Sequence, residues 1–133
     1  MIVLDASAVV DLLLNLPPRA EVVRERIARE APDLHAPHLI DAEIAQVLRR
    51  YVLREELPPA DARSALEDLA GLPIERYPHA PFVGRAFALR DNTTVYDALY
   101  LVLAETLEAP LLTSDAALAR VPGHRARVEL TTR

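Results

Sequence analysis

Five short strand-like runs, each separated from the next by segments of helical periodicity, set the fold class of this 133-residue chain. The runs are Ile2 to Leu4, Leu34 to Ala36, Ile74 to Tyr77, Leu111 to Thr113 and Arg127 to Leu130. Between them the apolar spacing predicts helices over Ser7 to Leu16, Arg19 to Glu30, Leu39 to Leu53, Ala60 to Ala70, Ala80 to Arg90, Val95 to Glu108 and Ala116 to Arg120. Prolines fall where helices should start or stop, at Pro17-Pro18, Pro37, Pro58-Pro59, Pro73, Pro81, Pro110 and Pro122. Strands that alternate with helices are joined by right-handed crossovers. They therefore form a parallel sheet covered on both faces. The expectation is an α/β fold, with a central sheet of four to five short strands flanked by helices. At this length one domain spanning 1-133 is expected.

Composition narrows the chemistry. There is no cysteine, which excludes a disulfide framework, a thiolate zinc site and a cysteine nucleophile. All 15 cationic side chains are arginine, so no lysine is present to form a Schiff base or a phosphate-loop contact. The net charge of −5 counts against a purely electrostatic nucleic-acid binder. A mean hydropathy of +0.09 fits neither a disordered chain nor a membrane protein. The N-terminus has no basic leader, and Asp5 and Asp11 interrupt its apolar run, so a cytoplasmic protein without membrane association is expected.

In open parallel sheets, ligands gather beyond the C-terminal ends of the strands. Four acids belong to that region. Asp5 ends the first strand, and taken alone it reads as a cap for the next helix, with Ser7 as an alternative cap. Asp115 repeats that arrangement after Leu111-Leu112-Thr113. Asp97 lies three residues after Thr94, the spacing of a capping box, at the head of a helix with no polar face. Glu43 resists the capping explanation. It falls on the apolar stripe Ile40, Ile44, Val47, Leu48, Tyr51 and so faces inward, whereas Asp41 points off the stripe toward solvent. Two carboxylates about 4 Å apart repel by roughly 4 kcal/mol at an effective dielectric near 20, so a cluster of acids stays protonated or recruits a cation. An all-oxygen donor set selects Mg²⁺ or Mn²⁺ over zinc.

Asp5-Ala6-Ser7, Ile40-Asp41-Ala42-Glu43-Ile44, Val95-Tyr96-Asp97-Ala98-Leu99-Tyr100 and Leu112-Thr113-Ser114-Asp115 together resemble the PIN-domain ribonucleases, and among them the VapC toxins of bacterial toxin–antitoxin pairs. The resemblance runs the length of the chain. It implies a Mg²⁺- or Mn²⁺-dependent endoribonuclease with Asp5, Asp97 and Asp115 around the metal and Glu43 contributing directly or through water. It further implies that Ser7 and Thr113 support the site by hydrogen bonds. A homodimer restrained by a VapB-type antitoxin is the implied assembly. No acid follows Asp115 in Ala116 to Ala119, where some relatives carry one, which leaves a second metal position open.

Other residues receive quieter readings. Arg49, Arg50, Arg54 and Arg90 are the candidates for RNA phosphate contacts, while Arg19, Arg24, Arg26 and Arg29 alternate with glutamates and read as a solvated helix face. His35, His38, His79 and His124 read as structural or surface residues, and Leu12, Leu13, Leu14 and Leu16 offer more apolar surface than one helix needs. A haloacid-dehalogenase-type phosphotransferase would need D-x-D, a receiver domain a lysine, and a dinucleotide binder a glycine-rich loop, none of which is present. The remaining alternative is a PIN-like module that binds RNA or protein without cutting.

Overall fold

The computed structural model describes residues 1–30 and 33–131. The strands are β1 (Ile2–Leu4), β2 (Leu34–Pro37), β3 (Ile74–Tyr77), β4 (Leu111–Thr113) and β5 (Val128–Leu130), all parallel in one sheet of order β3-β2-β1-β4-β5. Helices α1 (Ala6–Leu13) and α2 (Arg19–Glu30) join β1 to β2, and α3 (Leu39–Leu53) and α4 (Pro59–Gly71) join β2 to β3. A short 3₁₀ turn (Ala80–Phe82), α5 (Val83–Ala88) and α6 (Val95–Leu107) carry the chain across to β4, and α7 (Ala116–Ala119) leads into β5. Right-handed crossovers place α1 to α4 on one face and α5 to α7 on the other. The packing agrees: α1 meets α2, α3 and α4, whereas α6 lies along β1, β2 and β4.

Burial follows from this order. The three inner strands β1, β2 and β4 are buried along their whole length, and they are apolar apart from His35 in β2 and Thr113 at the end of β4. The edge strands β3 and β5 carry Glu75, Arg76 and Glu129 on partly exposed positions. Helix α6 is buried continuously from Ala98 to Ala104, as a helix with no polar face must be.

Several expectations need amendment. Ala80 to Arg90 is not one helix, because Pro81 suits only a first turn, and the 3₁₀ segment and the six-residue α5 divide it. Helix α1 begins at Ala6 and ends at Leu13, with Asn15 adopting a left-handed conformation at φ 52°. Leu12, Leu13 and Leu14 are partly buried against the core where α1 packs on α2, which takes up part of the apolar surface that one helix does not need. Asp41 is not simply solvated, since its carboxylate accepts two hydrogen bonds from Arg76, at 2.7 and 2.9 Å.

The sheet order reverses direction at β1. The chain steps from β1 to β2 and β3 on one side, then returns to β4 and β5 on the other. Such a reversal opens a crevice between β1 and β4 at their C-terminal ends.

Candidate active site

Asp5 and Thr113 stand side by side in that crevice, because β1 pairs with β4 in the register Leu4 to Leu112. The Asp5 N–H donates to the Leu112 carbonyl at 3.0 Å, which carries the ladder one residue past the strand. The Thr113 and Ser7 hydroxyls each donate to Asp5 Oδ2 at 2.7 Å. With their single protons committed there, the two oxygens act as acceptors. Ser7 Oγ takes the Ser114 N–H at 3.1 Å, and Thr113 Oγ1 takes the Asp115 N–H at 3.0 Å. This relay ties the end of β1 to the loop after β4 and fixes where Asp115 emerges.

The capping explanations divide. Asp5 occupies the N-cap position of α1 but makes no side-chain cap; its Oδ2 is turned to the two hydroxyls instead. Asp115 does cap, accepting the Ala117 N–H at 2.9 Å. At the head of α6 the Thr94 hydroxyl accepts the Asp97 N–H at 3.1 Å. Glu43 enters from α3 and is held by the Tyr100 hydroxyl, which donates to Oε1 at 2.6 Å.

Asp5, Glu43, Asp97 and Asp115 line one open cavity of about 330 Å³, together with Ser7 and Arg50. Thr113 lies buried directly beneath. Arg49, Arg54 and Arg90 lie away from it. Arg90 stacks over the Phe87 ring and donates to the Phe87 carbonyl, while Arg49 and Arg54 are exposed beyond the cavity wall. The histidines also lie elsewhere. His35 bonds Asp33 and Tyr77, His79 Nε2 accepts the Leu39 N–H, and His124 Nδ1 accepts the Ala126 N–H.

The family model for the PIN domain matches residues 2–124. The chain belongs to the PIN-domain family. Within that family this PIN domain is 44% identical to the ribonuclease VapC1 of Mycobacterium tuberculosis over 129 residues, 96% of each chain. It is 42% identical to the ribonuclease VapC12 of the same organism, over 98% of each chain. Its fold is shared with a chain of the Rickettsia felis VapBC2 complex, whose crystal structure was solved on a promoter DNA fragment. There the TM-score is 0.71 with 16% identity, covering 98% of both chains.

Electrostatics in the PIN-domain cavity are those of acids held together against their repulsion. Asp5, only 7% exposed, has its carboxyl pushed above the ordinary range by burial, partly offset by the hydrogen bonds from Ser7 and Thr113. Asp97 is raised by burial and then by the charges of Asp5 and Asp115. Glu43 is likewise raised by burial, with the Tyr100 hydrogen bond opposing and the charges of Asp5 and Asp97 adding. The phenol of Tyr100, buried against Glu43, is driven far above its usual value and remains a donor at any accessible pH.

The donor set fits a hard divalent ion: carboxylate oxygens only, negatively charged and open to water. Among the described residues, however, no three acidic or imidazole groups converge closely enough to enclose an ion unaided. Any ion here would be held by one or two carboxylates directly and otherwise through water, as hard divalent ions such as Mg²⁺ commonly are. Two contributors escaped the sequence reading. Tyr100 was hidden inside an apolar helix, although a buried tyrosine needs a partner for its hydroxyl. Gln46 lines the cavity one turn after Glu43, on the same side of α3.

Proposed function

We propose that this PIN domain is a Mg²⁺- or Mn²⁺-dependent endoribonuclease and the toxin of a toxin–antitoxin pair. The observation that carries the reading is that four acids from four separate segments line one cavity at the β1/β4 crevice. Relatives named as ribonucleases, at 42–44% identity over nearly the full chain, support it. Asp5, Asp97 and Asp115 would hold the ion, with Glu43 contributing directly or through water. When bound, the ion supplies positive charge for the phosphodiester and lowers the pKa of a water.

The chain's own residues do the rest. Ser7 and Thr113 fix the rotamer of Asp5 so that its position does not depend on the ion. Tyr100 holds one oxygen of Glu43, leaving a half-buried, raised-pKa carboxylate suited to accept the proton of the attacking water. Arg50, on the cavity wall, is placed to meet a phosphate oxygen. A VapB-type antitoxin as partner and a homodimer as the assembled form complete the proposal, the former supported by the structural likeness to a chain of a VapBC complex.

The test is cleavage of a single-stranded RNA by the purified chain with Mg²⁺ or Mn²⁺, with EDTA, and in the Asp5→Asn variant. Internal cleavage that EDTA abolishes, added metal restores and the variant lacks is the expected result. RNA binding with no cleavage under any metal would identify a binding module instead.

A further inference from the structure

A second cavity, of about 260 Å³, adjoins the first and shares Ser7, Val47 and Arg50 with it. Asp11 of α1 and Arg19 of α2 also line it, and neither lines the first. Asp11 has a side chain only 6% exposed, a rare state for a carboxylate. Arg19 Nε lies 2.9 Å from Asp11 Oδ2, and Nη2 lies 3.3 Å from Oδ1. The closer contact is misaligned, so both Nε and Oδ2 lack a hydrogen-bond partner among the described residues. Arg19 is therefore held at one edge of its fork, by the Nη2 hydrogen bond to Oδ1 and by charge. Its side chain stays 39% exposed, in keeping with the solvated face that the sequence suggests, but its partner is Asp11 of α1 rather than a glutamate of α2.

The pair adds little to stability, because Arg19 keeps 39% of its side-chain surface exposed and solvent screens the attraction. It does hold a permanent cation on a cavity wall. That matters in a chain of net charge −5 whose reaction cavity is lined by four acids, since a polyanion approaching it needs positive charge beyond what a metal ion supplies. Arg50 lines both cavities and Arg19 only the second. Guanidinium forks recognise phosphate oxygens, and the continuous wall runs from the carboxylates past Ser7 to Arg19.

We propose that Arg19, positioned by Asp11, binds a backbone phosphate of the RNA next to the scissile one, with Arg50 between them. The inference rests on the ribonuclease reading and deepens it by assigning the track the strand follows. The geometric basis is the juxtaposition of a partly exposed arginine, held by a buried carboxylate, with a cavity that shares Ser7, Val47 and Arg50 with the carboxylate site.

The experiment compares the parent with the double variant Asp11→Asn/Arg19→Gln, which removes both charges together. Net charge is unchanged and no buried carboxylate is left alone, so neither long-range charge nor a stranded ion can explain the outcome. Binding of a fluorescein-labelled single-stranded oligoribonucleotide is followed by anisotropy across a salt series, in a background inactivated by Asp97→Asn. One lost phosphate contact lowers the slope of log K against log salt by about 0.7. In the active background, KM rises roughly 3- to 10-fold with kcat within twofold, and Arg19→Lys falls between parent and double variant. If the parent binds and cuts RNA while the double variant keeps its KM and salt slope, the phosphate assignment is overturned, whatever happens to its melting temperature. A parent that neither binds nor cuts RNA overturns the ribonuclease reading itself.

Discussion

Tyr100→Phe isolates one hydrogen bond at the centre of the site. The phenol is fully buried and donates to Glu43 Oε1 at 2.6 Å, and phenylalanine fills the same space without the donor. A hydrogen bond to a charged group contributes about 1.5–3 kcal/mol. The lower end applies, because Glu43 faces an open cavity where water can replace the phenol and the variant no longer buries a hydroxyl. For 133 residues the unfolding entropy near 60 °C is about 280 cal/mol/K, from roughly 2.1 cal/mol/K per residue, so 1.5 kcal/mol corresponds to about 5 °C in melting temperature. The same bond holds the Glu43 carboxyl down against burial and its acidic neighbours, so its loss raises the Glu43 pKa further. The acidic limb of the cleavage pH–rate profile should therefore move to higher pH. Differential scanning fluorimetry and a pH series of single-turnover cleavage read both effects. A melting temperature within 1 °C of the parent, with an unmoved acidic limb, would refute the claim that Tyr100 anchors Glu43.

Other expectations follow from the same contacts. Thr113→Val removes the hydroxyl that donates to Asp5 and accepts from the Asp115 N–H; it should destabilise by about 1–3 kcal/mol and suppress cleavage, whereas Thr113→Ser should restore much of both. Arg85→Ala removes the charged partner of Glu105, whose side chain is 5% exposed and which keeps the Arg125 N–H, and should cost about 1 kcal/mol, since Arg85 is one-third exposed, with cleavage at 25 °C unchanged. In metal-free protein, the raised carboxyls of Asp5, Glu43 and Asp97 mean that the folded chain binds more protons than the unfolded one above the ordinary carboxylate range. Their stabilising contribution is present at low pH and lost as pH rises through the raised values. The melting temperature should thus increase as pH is lowered from neutrality toward the ordinary carboxylate range, and added Mg²⁺ should flatten the trend by taking the place of those protons.

The sequence exposed what depends on local pattern. The five strands, and helices such as α2 and α3, follow from periodicity and proline punctuation, and the placement of Asp5 and Asp115 follows from strands that end on an acid. Glu43 was visible because a charge on an apolar stripe has no local explanation. Pairings between distant segments were not visible. Nothing near Asp5 in sequence shows that Thr113 would take the oxygen a helix cap would use, and nothing near Arg19 shows that its partner is buried Asp11 rather than a glutamate of its own helix. Arg49, Arg50 and Arg54 look alike on paper; only the rotation of α3 turns Arg50 to the cavity. Register and helix orientation decide such matters, and both arise from packing of the whole sheet.

The central claim is that acids from separate segments jointly hold one divalent ion, and Mn²⁺ titration followed by electron paramagnetic resonance measures this directly. Free Mn²⁺ gives a sharp signal that fades on binding. The account predicts loss of that signal at about one ion per chain, largely abolished by Asp97→Asn. Equal Mn²⁺ binding by parent and variant, or none by the parent, would contradict it.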